Sequence, residues 1–333
     1  MKPSKSKYNA LLKSIGQTIE RAQTSAYYAI NTGLVAANWN IGRHIIEFEQ
    51  LGKERAEYGS ELLARLSTDL TTKHGKGFGR RNVLDMRRFY LAFPIWQAVP
   101  AKLSWSHIIT LIGVSDDNAR NFYLKQAQSE NWGYRELERQ INSSLYERLA
   151  LSRNKKEVKK LAQKGNIIMH PHEIVKDPYV LDFLKIPQSS KVTEKFLEQK
   201  IIDNLQLFLM ELGKGFAFIG RQYKISIRNK HYYVDLVFYH RILKCFVLID
   251  LKTSQVVHSD VGQMNLYLNY FIKEENVEGD NQPIGIILAK DKDEILVEYT
   301  MGGMNNKIMV TKYELYLPDK KILKRRLKGV LGK

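Results

Sequence analysis

The sequence predicts an α+β protein: an all-α first half carrying a helix-turn-helix-like pair, followed by an α/β half built on a small sheet. Three observations predict it. Apolar residues recur at intervals of three and four over residues 8–151, with few breakers. From about residue 178, short runs rich in β-branched and aromatic residues take over, each bounded by polar turns. Charge changes as well: residues 1–166 carry 27 basic and 15 acidic residues, a net +12, whereas the remainder carries 25 and 20, a net +5. The expected organisation is a helical domain over 8–151, a basic linker over 152–177 and a second domain over 178–333.

Taken in order, residues 8–50 hold long amphipathic stretches, including YYAINTGLVAANWNIGRHIIEFE. Next, ELLARLSTDLTTKHGKGFGRRNVLDMRRFYLAF reads as helix, turn, helix: Leu62, Leu63, Leu66 and Leu70 keep helical spacing, and Gly75, Gly77 and Gly79 interrupt it. The following helix opens at Arg80, places Val83, Met86, Tyr90 and Leu91 at core spacing, and stops before Pro94. Further helices are expected over 104–112, 116–128 and 134–151. The polar stretch SRNKKEVKKLAQKGN either ends a helix or links domains. A helix over 193–213 then precedes three strands, FAFIGRQYKISI, YYVDLVFYH and KCFVLIDLK, a helix VGQMNLYLNYFIKE and a strand PIGIILA. The order is α-β-β-β-α-β.

Bulk composition narrows the function. With 333 residues, 44% hydrophobic and 11% aromatic, the chain has ample material for two cores and none of the signature of disorder. No apolar run is long enough to cross a membrane, and MKPSKSKYNALLKS lacks the apolar core of a secretory signal. A single cysteine, Cys245, excludes an internal disulfide and a cysteine-clustered zinc site. A cytoplasmic setting is expected. The net charge of +17 points to a polyanionic partner such as nucleic acid.

The chemistry concentrates in the strand CFVLIDLK. Alternation puts Asp250 and Lys252 on one face with Phe246 and Leu248, and Val247, Ile249 and Leu251 on the other. If this strand pairs with YYVDLVFYH through RILK, paired positions sum to about 483. Asp235 then faces residue 248, diagonally beside Asp250. Two carboxylates that close repel unless a cation sits between them, and all-oxygen ligands suit Mg²⁺ or Mn²⁺. Such a metal activates water and neutralises a transferring phosphoryl group, while Lys252 stabilises the developing negative charge. Buried salt bridges are the competing reading. In the helix over 193–213, Glu198 extends the stripe Ile202, Leu205, Leu209, Leu212; Glu194 and Glu211 are alternatives, with Glu211 expected on the opposite face.

A helix with a carboxylate, a strand, then Asp…Asp-X-Lys on paired strands resembles the PD-(D/E)XK nuclease superfamily, with Val234 where the named proline would stand. Gln263-Met-Asn-Leu-Tyr267 resembles the Gln-X₃-Tyr motif of its RecB-like branch. More narrowly, ELGKGFAFIGRQY, YYVDLVFYHR, GQMNLYLNYF and PIGIILA resemble the nuclease domain of the YhcG-like bacterial family. LSTDLTTKHGKGFGRRN, MRRFYLAFP, LSWSH and NWGYRELERQI resemble its N-terminal domain. The resemblance covers about residues 10–325. It implies a restriction-endonuclease-like (PD-(D/E)XK) fold and a DNA nuclease tied to restriction–modification or mobile-element loci. It further implies Asp235 and Asp250 as metal ligands with the carbonyl of Leu251, Lys252 as the catalytic lysine and Glu198 as the helix carboxylate. Gln263 and Tyr267 would position phosphate or water, and Gln222 would sit at the rim.

In the basic first half, Arg80 and Arg81 open the second helix of the helix-turn-helix-like pair and Arg87 and Arg88 follow two turns on, where arginines reach phosphates or bases. Lys155, Lys156, Lys159 and Lys160 either add backbone contacts or form a solvated linker face. Trp39, Trp96, Trp105 and Trp132 are expected to pack rather than stack on bases, and His170 and His172 to belong to a loop. The expected function is a Mg²⁺-dependent DNA endonuclease, with a homodimer or protein partner for a double-strand cut. A DNA-binding adaptor that keeps a nuclease fold and an RNA nuclease are the alternatives.

Overall fold

The computed structural model describes residues 5–51, 57–96, 102–151, 153, 155–291, 307–317 and 319–331. Residues 1–138 and 139–333 form two compact units. Among the described residues no helix is long and apolar enough to cross a membrane.

The first unit is helical: α1 (Lys5–Leu51), α2 (Glu57–His74), α3 (Arg80–Ala92), α4 (Trp105–Ile112), α5 (Asp117–Glu130) and the start of α6 (Tyr134–Asn142). Its core joins Val35, Trp39, Ile45 and Ile46 of α1 to Val83, Met86 and Phe89 of α3. Gly42 sets how close the two helices come: a Cβ there would lie 2.0 Å from the Met86 carbonyl oxygen. Left-handed Gly75 and Gly77 form the expected turn between α2 and α3. Leu91, expected in the core, is exposed, and Phe89 takes its place. Successive helical residues are 100° apart, and Leu91 falls nearly opposite the Val83–Met86–Phe89 face. The tryptophans pack: Trp39 Nε1 donates to the Phe93 carbonyl, Trp105 Nε1 to Asn82, and Trp132 Nε1 to Glu130. Trp96 lies against Trp39.

In the second unit, α7 (Leu145–Leu151) and α8 (Lys155–Lys164) precede the sheet. The single helix expected over 134–151 breaks at Ser143–Ser144, where Ser144 has φ 55° and Arg148 Nε takes the Ser143 carbonyl. Within the expected linker, α8 buries Val158, Leu161 and Ala162. His170 caps a short 3-10 turn that contains His172, and the two rings stack. Then come β1 (Tyr179–Val180), α9 (Glu194–Asp203), α10 (Leu205–Leu212), β2 (Phe216–Ile227), β3 (Lys230–His240) and β4 (Cys245–Gln255). The chain continues through α11 (His258–Tyr270), β5 (Ile284–Asp291), β6 (Lys307–Glu314) and α12 (Lys320–Leu331). Among the described residues the strands form one mixed sheet in the order β1-β6-β5-β4-β3-β2. β3 runs antiparallel to both neighbours, and the β4, β5, β6 and β1 pairings are parallel.

Both faces of the sheet are covered, which is why β4 and β5 read as nearly continuous apolar runs. Val247, Ile249 and Leu251 pack with Leu197, Ile201, Phe208 and Leu212 of α9 and α10. Leu248 and Ile287 pack with Val261, Met264, Tyr267 and Leu268 of α11. Gly285 admits α11, since a Cβ there would meet the Met264 side chain at 2.6 Å. The helix expected over 193–213 is broken at Asn204, which leaves helical geometry at φ −122° and ψ 32°. Its buried face is therefore Leu197, Glu198 and Ile201, then Phe208, Glu211 and Leu212. Glu211, expected on the outer face, is fully buried.

Candidate active site

The site forms where two strands part. β3 and β4 pair from His240↔Cys245 to Leu236↔Ile249, and there their ladder ends. Beyond it β3 stays with β2 as far as Lys230, and β4 stays with β5 as far as Gln255. The pairing sum is 485, not 483, so Asp235 aligns with Asp250 directly and not with residue 248. Alternation in β3 also slips at this point, because Val234 joins the core under α11 while Leu236 joins the core under α9 and α10. Asp235 bridges the fork: its Oδ2 accepts from the Leu251 amide at 2.8 Å.

Lys252 Nζ lies 2.9 Å from Asp250 Oδ2 and 3.6 Å from Asp260 Oδ1. Lys252 thus pairs directly with the buried Asp250 carboxylate. Burial lifts the Asp250 carboxyl, Asp235 lifts it further, and Lys252 only partly offsets them, leaving it at about 7. Asp235 is raised as well, by burial and Glu198, against the Leu251 and Gln222 hydrogen bonds that favour its charge. Burial works against the Lys252 ammonium, but Asp250, Asp260 and Glu194 outweigh it and hold its pKa above the ordinary lysine value. One cation thus serves several carboxylates.

Gln222, exposed at the rim, ties two carboxylates of this group together. At φ 46° its side-chain amide donates to Glu198 Oε2 at 2.7 Å and Asp235 Oδ1 at 3.0 Å. The amide explains how two carboxylates from α9 and β3 stay close. Gln263 donates to the Tyr267 hydroxyl, which donates to the Tyr233 carbonyl at 3.0 Å. Tyr267 is buried and near enough to Asp250 and Asp235 to have its own pKa raised by them, after burial. Asp260 was not singled out from sequence. As the third residue of α11 it accepts from the Val257 amide at 2.9 Å, and an acid in the first turn of a helix following a lysine-bearing strand was the available signal.

Among the described residues no three His, Cys, Asp or Glu side chains form a ready-made metal cluster. The donor chemistry nevertheless fits a hard cation that keeps waters: the Asp235 and Asp250 carboxylates lie together with raised pKa, and Glu198 is joined to Asp235 through Gln222. Glu198 is held to Gln222. In the first unit, Arg80, Arg81 and Arg88 are exposed. Arg87 is engaged within the fold: its Nε donates to both Glu49 oxygens at 2.9 Å and its Nη2 lies 2.8 Å from Oε2.

Residues 172–328 match the family described as the YhcG PDDEXK nuclease domain, and residues 14–148 the DUF1016 N-terminal domain. The Escherichia coli (strain K12) protein named "Putative nuclease YhcG" is 34% identical over 348 positions, covering 95% of this chain and 92% of its own. Two solved structures match 40% of this chain and about half of theirs, at a TM-score of 0.26. One, a repair endonuclease from Pyrococcus abyssi, is 18% identical; the other, an EndoMS–double-stranded DNA complex, is 15% identical. Likeness at that level carries no weight for substrate.

Proposed function

Because this chain belongs to the YhcG family of PDDEXK nucleases, we propose that it is a Mg²⁺-dependent DNA endonuclease whose site is the fork between β3 and β4. The observation that carries the reading is the surplus of carboxylate there: buried Asp250 and Glu198 and half-buried Asp235 and Asp260 stand against a single lysine between Asp250 and Asp260. A divalent cation held there would offset the excess of carboxylate over ammonium.

Asp235 and Asp250 would hold the metal, with the Leu251 carbonyl and Glu198 beside them, and Mn²⁺ would substitute. A bound divalent ion supplies neutralisation of phosphoryl charge and a more nucleophilic water at neutral pH. The chain's own residues do the rest. Gln222 fixes Asp235 and Glu198 in place, and the Leu251 amide fixes the other Asp235 oxygen. The Lys252 ammonium, kept charged by its acidic neighbours, meets the negative charge that grows on the phosphate in the transition state. Buried Tyr267, held by the Tyr233 carbonyl, would brace Gln263, whose exposed side chain would meet water or phosphate at the border of the site.

In this reading the second unit, residues 139–333, cuts, and the first unit binds DNA or a partner through Arg80, Arg81 and Arg88. Service in restriction–modification or mobile-element defence is what membership of the family suggests. The test is supercoiled plasmid incubated with the full chain in Mg²⁺, Mn²⁺ or EDTA, alongside Asp250→Ala. Nicking that needs the metal and falls a hundredfold or more in the variant is expected. Binding without cutting by the wild type would instead favour a DNA-binding adaptor, and cleavage of RNA alone would move the substrate.

A further inference from the structure

Residues 8–34 of α1 carry large apolar side chains into solvent: Tyr8, Leu12, Ile15 and Ile19 line one face, each about half exposed, with Leu11 and Ile30 flanking it and Tyr27, Tyr28 and Leu34 exposed elsewhere on the helix. Ala22, Ala26, Ala29 and Gly33 continue the same face and are exposed too. Successive members of this set are four, three, four, three, four, three and four residues apart. That alternation averages 3.5 residues, the repeat of a seam between two paired helices. It spans about 38 Å at 1.5 Å per residue. The basic residues of the segment, Lys13 and Arg21, lie more than 100° around the helix from the centre of this face.

The seam has an internal order. Its first four members are large and its last four are small. In a parallel pair, large would meet large at one end and glycine would meet glycine at the other, so the axes would have to diverge. In an antiparallel pair, every layer whose residue numbers sum to 41 joins one large side chain to one small: Tyr8 to Gly33, Leu12 to Ala29, Ile15 to Ala26, Ile19 to Ala22. All four layers then have similar volume, and the helices run at constant separation, as close packing requires. The pattern is self-complementary about a two-fold axis near residues 20 and 21, the signature of an isologous contact.

We propose that the exposed face of α1 is the dimer surface of this protein, taken by the same face of a second copy running antiparallel. Each dimer then carries two copies of the second unit.

Sedimentation equilibrium of the full chain is expected to give twice 38.7 kDa, and Ile15→Lys/Ile19→Lys to halve that mass. Because both side chains are solvent-exposed in the single chain, the variant should still fold by circular dichroism, and its thermal midpoint should fall below that of the wild type and cease to depend on protein concentration. Orientation is read by disulfide formation. Leu12→Cys mixed with Ala29→Cys is expected to cross-link, and neither variant alone; Cys245 is buried and does not take part. Cross-linking of Leu12→Cys with itself would overturn the antiparallel arrangement. A wild type that stays monomeric at tens of micromolar, or that stays monomeric and is captured by anionic phospholipid vesicles, would overturn the proposal.

Discussion

Two clusters of buried charge lie in the second unit, and they differ in sign. Around Glu211, Arg148 Nη1 donates at 2.6 Å and the Val180 amide at 3.0 Å, both to Oε1, while Arg139 approaches Oε2 at 3.5 Å and Lys176 donates to the Glu211 carbonyl. Arg148 is itself saturated by Ser143 and the Pro178 carbonyl. Burial would lift the Glu211 carboxyl, but Arg148, Lys176 and Arg139 outweigh it and hold it down at about 2. At the fork the surplus runs the other way, and Asp250 is lifted to about 7. Burial of a carboxylate does not mark function by itself. The balance of charge around it separates a clamp from a place prepared for a ligand.

The largest effect that sharpens this contrast is on the clamp. Glu211→Gln leaves Arg148 and Lys176 buried without their anion, and is expected to cost about 3–5 kcal/mol in urea unfolding. A loss under 1 kcal/mol would break the comparison. The pH dependence has a definite sign. Glu211 titrates near 2 in the folded chain and near its ordinary 4.5 when unfolded, so its stabilisation is complete above 4.5 and vanishes as pH falls toward 2. The difference in urea midpoint between wild type and Glu211→Gln should shrink through that window.

At the fork the expectation reverses. Asp250 titrates near 7 folded against an ordinary 3.8, so the folded state holds the extra proton and stability falls as pH rises across that window. In EDTA, Asp250→Asn should therefore be more stable than wild type at pH 8 by about 1–2 kcal/mol, while losing cleavage. Added Mg²⁺ should raise the thermal midpoint of the wild type and leave the variant unmoved. The smallest effect is expected from Asp260→Asn, which keeps an acceptor for the Val257 amide but withdraws one carboxylate from Lys252. A two- to fivefold fall in cleavage rate, about 1 kcal/mol or less, is the expected reading.

Much of the fork was legible because it is local. Alternation along KCFVLIDLK is enough to put Asp250 and Lys252 together, and a four-residue turn is enough to bring Asp235 to them. The register came out two short because the turn fixes pairing only to within a residue or two at each end. Glu211 was misplaced for a different reason. Periodicity over 193–213 predicts one continuous helix, and the break at Asn204 depends on packing that a single helical period does not contain. Its main partner, Arg148, is 63 residues away in sequence, and no pattern of spacing links them. Gln222 was undervalued because its reach to both Glu198 and Asp235 depends on a left-handed backbone that a glutamine rarely adopts.

The parting of β3 and β4 has a practical consequence. Where strands pair, amide protons are held by backbone carbonyls and report only on unfolding. The Leu251 amide is held instead by the Asp235 carboxylate. Its proton resonance is therefore a built-in gauge of that single side chain: it should shift when Asp235 gains a proton and again when an ion takes up the carboxylate's charge. One backbone amide would thereby follow ligation at the fork in solution without any nucleic acid being cut.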